Sequence, residues 1–340
     1  MTFYIPKKAL LMCATRLRVT DVFATSLYTG NGGTQTITNG LDLAGKGGLV
    51  WLKSRSTPDD HYLYDTSRGA GLALKSQSTQ AEENNGRLSA FLSNGFTLNS
   101  PSAPNQSGVT NVAWTWREAR KFFVKLTYTG NGQSGRQIPH GLGDVPGMIV
   151  VKARTSSTAW RVYHRGTGSG TGLILNTTAG ANSIVLKDFG TGNNDGTGVH
   201  VPPTASAFTV GGSEMNDNGV QYVAYLFAHN PDLIDCGSYV GNGNANGPSV
   251  KCGSGWNPQF LLIKNTAASA SYSYWMMLDT ARTPGLSGTD EILRANTSES
   301  QLTLINVADL TGTGFKLATN DPAANQSNST FAYLAIRSPT

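Results

Sequence analysis

An aspartate and an arginine three residues apart, closing an apolar run, occur twice in this chain. Asp65 and Arg68 lie in Leu63-Tyr64-Asp65-Thr66-Ser67-Arg68-Gly69, and Asp279 and Arg282 in Met277-Leu278-Asp279-Thr280-Ala281-Arg282. Two chemistries fit that spacing. The groups can form a charge-assisted pair that pins the turn after a strand, or the carboxylates can act as catalytic acids or sugar ligands. A related third stretch, Val162-Tyr163-His164-Arg165-Gly166, keeps an arginine but has His164 in place of the acid. The missing acid favours structural pinning by Asp65–Arg68 and Asp279–Arg282 over a shared active site.

Other candidate chemistry is weaker. Glycan hydrolysis needs a second carboxylate at a set separation, and Asp59, Asp60, Glu82 and Glu83 stand in loop contexts without counterparts elsewhere. The five histidines do not fall within metal-ligand spacing of one another or of a cysteine. Asp188, Asn193, Asn194 and Asp195 do not have EF-hand spacing and read as a solvated loop. Gly168-Ser169-Gly170 belongs to a Gly/Thr-rich turn rather than a nucleophile elbow. Cys13, Cys236 and Cys252 are an odd set at wide spacing, expected as free thiols. The reading is of a non-enzyme without metal or cofactor. Of the six tryptophans, several hold recurring strand positions and read as core. Trp160 and Trp275, with Tyr272 and Tyr274, sit beside loops and are the candidates for ligand contact.

The elements that must carry these residues come from a cassette repeated at a period of about 100 residues. Tyr28-Thr29-Gly30-Asn31-Gly32 returns as Tyr128-Thr129-Gly130-Asn131-Gly132 and as Tyr239-Val240-Gly241-Asn242-Gly243. Each copy then reaches a lysine at the end of an apolar run (Lys53, Lys152, Lys264), a phenylalanine (Phe96, Phe208, Phe315) and a closing strand around Ala113-Trp114, Ala224-Tyr225 and Ala332-Tyr333. Such a period matches a whole domain rather than a solenoid unit. The expected organisation is an N-terminal arm over 1–21 and three related modules over 22–119, 120–234 and 235–340. Only turns and core positions recur, as for a copied scaffold.

Period-2 alternation separated by Gly, Asn, Ser and Thr clusters predicts an all-β chain of three tandem β-sandwich-like modules. Helix content is expected to be low, with a weak candidate over Ser78–Glu83 and a weaker one at Ser298-Glu299-Ser300. Gly-Asn-Gly after Tyr-Thr predicts a tight hairpin turn; the helix start and Lys-Ser/Thr of a phosphate loop do not follow it. Linkers such as Arg117-Glu118-Ala119-Arg120 and His229-Asn230-Pro231-Asp232 are short, which predicts a stiff row of packed modules.

A net charge of +5 is mild, and the basic residues are dispersed except for Lys7, Lys8, Arg16 and Arg18. These bracket a short apolar segment without interleaved aromatics, which reads as an arm and not as a nucleic-acid or membrane patch. The segment is too short for a secretory signal, and no apolar stretch approaches the 20 or so residues that cross a bilayer.

The chain resembles a repeat family of structural proteins of tailed bacteriophages. The likeness rests on Leu41-Asp42-Leu43-Ala44-Gly45-Lys46-Gly47-Gly48-Leu49-Val50-Trp51-Leu52-Lys53-Ser54-Arg55, Tyr64-Asp65-Thr66-Ser67-Arg68-Gly69 and Ser93-Asn94-Gly95-Phe96-Thr97-Leu98. Later it rests on His140-Gly141-Leu142-Gly143, Met148-Ile149-Val150-Val151-Lys152-Ala153-Arg154, Gly237-Ser238-Tyr239-Val240-Gly241-Asn242-Gly243 and Leu262-Ile263-Lys264-Asn265. It covers nearly everything after about residue 22. The resemblance implies a virion component made in the host cytoplasm: a tail fibre or appendage part, homo-oligomeric and plausibly trimeric, contacting other virion proteins and a host surface glycan, without nucleic-acid binding or membrane insertion. A head-decoration or tail-adaptor protein is the alternative, and a tailspike depolymerase a third. The arm is expected to dock onto the particle.

Overall fold

In a computed structural model of the chain the described residues are 17–167, 171–182, 188–192, 197–267, 272–303 and 305–339. Most of the arm, including Cys13, lies outside them, as do Gly168-Ser169-Gly170 and Asn193, Asn194 and Asp195. Regular structure is almost entirely strand, and the protein is all-β. The first repeat holds β1 (Phe23–Thr29), β2 (Thr34–Thr38), β3 (Gly48–Ser54), β4 (Tyr62–Asp65), β5 (Leu72–Ala73), β6 (Glu83–Asn84), β7 (Leu88–Leu92), β8 (Gly95–Asn99) and β9 (Thr110–Arg117). The second holds β10 (Phe123–Thr129), β11 (Arg136–Pro139), β12 (Pro146–Ala153), β13 (Arg161–His164), β14 (Leu173–Ile174), β15 (Ala207–Val210) and β16 (Gln221–Ala228). The third holds β17 (Ile234–Val240), β18 (Ser249–Lys251), β19 (Pro258–Asn265), β20 (Trp275–Asp279), β21 (Glu291–Arg294), β22 (Leu302–Thr303), β23 (Ala308–Leu310), β24 (Gly314–Leu317) and β25 (Thr330–Arg337).

One strand order occurs three times. The large antiparallel sheets run β1-β9-β3-β4, β10-β16-β12-β13-β14 and β17-β25-β19-β20-β21-β22, so the first and last long strands of each repeat always pair. The small sheets β2-β8-β7, β11-β15 and β18-β24-β23 come from the intervening strands. In the first repeat Val50, Leu52, Tyr62 and Tyr64 of the large sheet pack on Ile37, Phe96 and Leu98 of the small one, which is a sandwich core. Leu261, Ile263 and Met276 meet Val250, Phe315 and Leu317 likewise in the third.

The other faces of the large sheets are also apolar, and they meet one another. Trp51, Trp114 and Trp116, then Met148, Val150, Tyr225 and Phe227, then Phe260, Leu262 and Leu334 belong to one continuous cluster. Both faces being covered, β3, β12 and β19 read as unbroken apolar runs rather than alternating ones. The repeats therefore close around a common core, with only a small apolar void of about 20 Å³ at its centre. A stiff row would separate the first repeat from the third. Instead Arg55 pairs with Glu291 at 2.8 Å and the Asp59 N–H donates to the Ser298 carbonyl.

Register corrects one landmark. Tyr28, Tyr128 and Tyr239 lie opposite Asn111, Tyr222 and Phe331, so Trp114 and Tyr225 correspond to Leu334, not to Tyr333. A one-residue shift reverses the face of a strand. Leu334 accordingly joins the common core while Tyr333 points into the third repeat's own sandwich.

The Gly-Asn-Gly turns are corners, not hairpins: β1 pairs with β9 whereas β2 pairs with β8, so the chain changes sheet at the turn. A distant asparagine holds each corner. Asn105, Asn216 and Asn325 accept from the backbone N–H of Asn31, Asn131 and Asn242 at 3.2, 3.1 and 2.8 Å, and donate to the carbonyls of Gly33, Gln133 and Asn244 at 2.7, 2.8 and 2.8 Å. The first glycine is needed for close approach, since a Cβ at Gly130 would stand 2.1 Å from the Asp217 carbonyl oxygen. The second is needed for its backbone, Gly132 having φ of +70°. Replacing Asn216 by alanine strands buried polar groups and is expected to cost about 1–3 kcal/mol in chemical denaturation; a change within error would show that the corner holds without it.

Neither helix candidate forms. Glu83–Asn84 is strand β6, and four-residue α-helical turns form elsewhere among the described residues, at Leu43–Lys46 and Pro322–Asn325. Asp42 and Asp321 cap them by accepting from Gly45 N–H at 2.7 Å and Ala323 N–H at 2.8 Å.

Candidate functional site

Corresponding residues of the three repeats meet at three seams. His61 and Trp160 immediately precede the fourth strand of their sheets and Trp275 begins it, and each presents a ring nitrogen to a backbone carbonyl of a neighbouring repeat: Arg294 at 3.0 Å, Lys75 at 3.0 Å and Ile174 at 3.0 Å. His61 Nδ1 accepts from Trp51 Nε1 at 2.9 Å, so the proton is on Nε2. Side chains of Asn176 and Asn296 accept from the backbone of Trp160 and Trp275, both at 2.9 Å. Trp160 and Trp275, expected as ligand contacts, are thus core residues that join repeats. The loop position suggested by sequence is real, but the loop is closed over by the next repeat. Tyr272 is exposed, and Tyr274 lies under the Arg294 guanidinium, 3.7 Å from the ring centre.

Four residues further on come Asp65, His164 and Asp279. The Asp65 carboxylate accepts from Arg68 Nε, from Tyr225 OH of the second repeat at 2.8 Å and from the backbone N–H of Ser67 and Arg68. Burial opposes its charge, yet Arg68 and Tyr225 hold its pKa below the usual carboxylate range. Asp279 accepts from Arg282 Nε at 2.7 Å and from Trp114 Nε1 of the first repeat at 2.9 Å. Both carboxylates are fully buried and committed to these partners. At the remaining seam the partner position is Leu334, which has no polar hydrogen to offer. His164 fits there because it needs no such donor: Nε2–H donates to the Tyr333 carbonyl at 3.0 Å while Nδ1 accepts from Gly166 N–H at 2.9 Å. Burial lowers its pKa to about 4 and keeps the ring neutral.

Arg165 is not the positional counterpart of Arg68 and Arg282, for it follows the seam residue by one position instead of three. Thr167 occupies their place and donates its hydroxyl to the His164 carbonyl at 2.9 Å. Arg165 is consequently released from the seam and exposed. It borders a groove of about 500 Å³ with Asp144, Val145, Pro146, Tyr163 and His229, continued by a hollow of about 290 Å³ toward Asp235 and Ser238.

The histidine in this groove is held by a buried acid. His229 Nδ1 lies 3.0 Å from Asp235 Oδ1, with the ring about one-third exposed (34%) and the carboxylate covered (6%). Asp235 Oδ2 accepts from Tyr333 OH at 2.8 Å and Gly253 N–H at 2.9 Å. Burial works against ionisation, but these donors and His229 lower the Asp235 pKa. Cys236 N–H also points at His229 Nδ1, at 3.4 Å, so the ring is fixed through that nitrogen and borders the groove with its remaining edge. Gly147 permits this packing, because a Cβ there would stand 2.6 Å from Cys236 Cβ and 3.1 Å from His229 Cβ. Cys236 and Cys252 are both free and buried, and burial raises their thiol pKa, which disfavours the thiolate. Among the described residues no group of three metal-ligating side chains converges.

A family profile described as Domain of unknown function (DUF7483) matches residues 18–339. The chain belongs to the DUF7483 family. A search of curated proteins finds no match. The DUF7483 match spans all three seams, so the family unit contains the whole three-repeat assembly with its common core.

The DUF7483 chain also buries three corresponding lysines whose role the sequence landmarks leave open. Lys53, Lys152 and Lys264 are at most 1% exposed. Lys53 donates to the Ser54 carbonyl at 2.8 Å, Lys152 to Ala153 at 2.8 Å and to Thr79 of the first repeat at 3.2 Å, and Lys264 to Ser273 Oγ at 2.7 Å. No ion pair with a carboxylate is formed by any of them among the described residues. Burial lowers their pKa to about 8, 8 and 7.

Proposed function

We propose that this DUF7483 protein is a structural component of a tailed-bacteriophage virion, a tail-fibre or appendage part exposed on the particle and engaged in host-surface attachment. The observation that carries the reading is where the recurring polar groups go. The acid–arginine pairs, ring N–H donors, corner asparagines and buried lysines all hold the scaffold together. What differs between copies is the surface around the seams and the loops. A scaffold of this kind offers a rigid frame for binding loops, and several copies on a particle would add weak glycan contacts through effective concentration.

Two measurements test this. Cryo-electron microscopy of intact particles should place the chain on the tail or an appendage, and the purified protein should bind host-surface glycans on an array without releasing reducing ends. Binding only to capsid shells would replace attachment by tiling, and cleavage of polysaccharide would overturn the non-enzymatic reading.

A further inference from the structure

We infer that the groove between the second and third repeats is a saccharide-binding site, with Arg165, Asp144 and His229 as its polar contacts. The inference deepens the attachment reading above and rests on it. Three observations converge on this place. First, the groove is where the threefold pattern is broken: Thr167 stands where two repeats have the arginine spent on a buried acid, and Arg165, two positions earlier, faces solvent. Second, a buried and fully hydrogen-bonded Asp235 is used to orient a part-exposed imidazole. At the seam between the first two repeats the positions of His229 and Asp235 are held by Glu118 and the apolar Val124, so no buried acid stands there and Glu118 pairs instead with Lys125 at 2.8 Å. Third, the lining mixes both kinds of surface: Val145, Pro146 and Tyr163 are largely apolar, with Val145 46% exposed, while Asp144, Arg165 and His229 are polar.

The chemistry of the ligand follows from that mixture. A pyranose has C–H faces that suit the apolar lining and a rim of hydroxyls that both donate and accept. Asp144, with one oxygen accepting from Val145 N–H at 2.8 Å, keeps acceptor capacity for hydroxyls. The free edge of the His229 ring can exchange a hydrogen bond with a hydroxyl, and the Arg165 fork donates to hydroxyl, ring or carboxylate oxygens. A phosphate or sulfate alone would meet the Asp144 charge, and an apolar ligand would leave three polar groups unpaired. The groove volume lies in the range of small-ligand sites.

The test follows the His229 ring in ¹H–¹⁵N spectra while methyl glycosides of glucose, galactose, N-acetylglucosamine and glucuronic acid are added at millimolar concentration to the full chain. At least one should shift the His229 resonances and leave those of buried His61 unmoved. Arg165→Met and Asp144→Asn, both solvent-facing changes, should each weaken that response and array binding about tenfold, as loss of one charge-assisted hydrogen bond predicts, whereas Tyr272→Ala should leave both unchanged. Array binding that survives both groove variants would sink the groove while leaving attachment standing. Shifts at His229 with a blank array would do the reverse. No shift with any glycoside and no array binding would remove both.

Discussion

Arg68→Met is expected to lower the unfolding free energy by about 3–5 kcal/mol, because it leaves the Asp65 carboxylate buried without its cation. Arg68 is fully buried and reaches further than the pair. Its guanidinium donates to the Leu63 and Leu72 carbonyls at 2.7 and 3.0 Å, to Glu82 at 3.0 Å and to Tyr225 OH at 3.2 Å, so four groups beside Asp65 lose a partner at once. Glu82 in turn is bidentate to Arg154 of the second repeat at 2.9 and 3.1 Å. Arg282→Met should cost less. It donates to Asp279 and the Met277 carbonyl, but its Nη1 finds no hydrogen-bond partner among the described residues, and Asp279 keeps the Trp114 N–H. Urea denaturation of both variants, with Asp65→Leu/Arg68→Met as the compensated control, measures the difference. A loss under about 1 kcal/mol for Arg68→Met would rank the pair with exposed salt bridges and end its role as the pin of the first seam.

Stability should rise, not fall, between about pH 8 and 10. The unfolded lysine pKa is near 10.4, and burial lowers Lys53 and Lys152 to about 8 and Lys264 to about 7. In that window the unfolded chain binds more protons than the folded one, so raising pH favours folding. This stability is complete above the unfolded pKa and is lost as pH falls through the folded values. Each lysine contributes on the order of 3 kcal/mol across its window. Above about pH 10 the half-buried Tyr28 and Tyr128 and the buried Tyr239 act the other way, since desolvation raises their phenol pKa and their stabilisation disappears once the unfolded phenols ionise. Below neutrality the neutral His164 and the raised Asp188, at about 7, have opposing slopes, and above about pH 8.5 the buried Cys236 and Cys252 thiols offset part of the three-lysine rise, because burial raises their pKa. Denaturant melts at several pH values should show the rise, and the triple Lys53→Met, Lys152→Met and Lys264→Met variant should replace it by a fall as the unfolded thiols ionise. A flat wild-type profile would mean that the amines reach water in the folded state.

Much of this was legible beforehand. Alternation, turn clusters and the Tyr-x-Gly-Asn-Gly cassette marked strands and repeats because they are local. The Asp-Arg spacing at Asp65–Arg68 marked a turn for the same reason. What failed was long-range. Trp160 and Trp275 sit beside loops in sequence, and nothing local says that another repeat covers them. Asn105, Asn216 and Asn325 act on corners many residues away and are spaced as unremarkable loop residues. The His229–Asp235 pair is close in sequence, yet its groove needs Asp144 and Arg165 from other elements. The closing strand was misaligned at Tyr333 by one position because an aromatic was matched to an aromatic, whereas the ladder fixes Leu334.

The common aromatic core has one more consequence, for how such a chain can change over time. Removing one copy would leave Trp51, Trp114 or their counterparts wet, and adding a fourth would have no face to cover. Copy number is frozen by geometry, so evolutionary freedom is confined to the outward loops and to the grooves where neighbours abut.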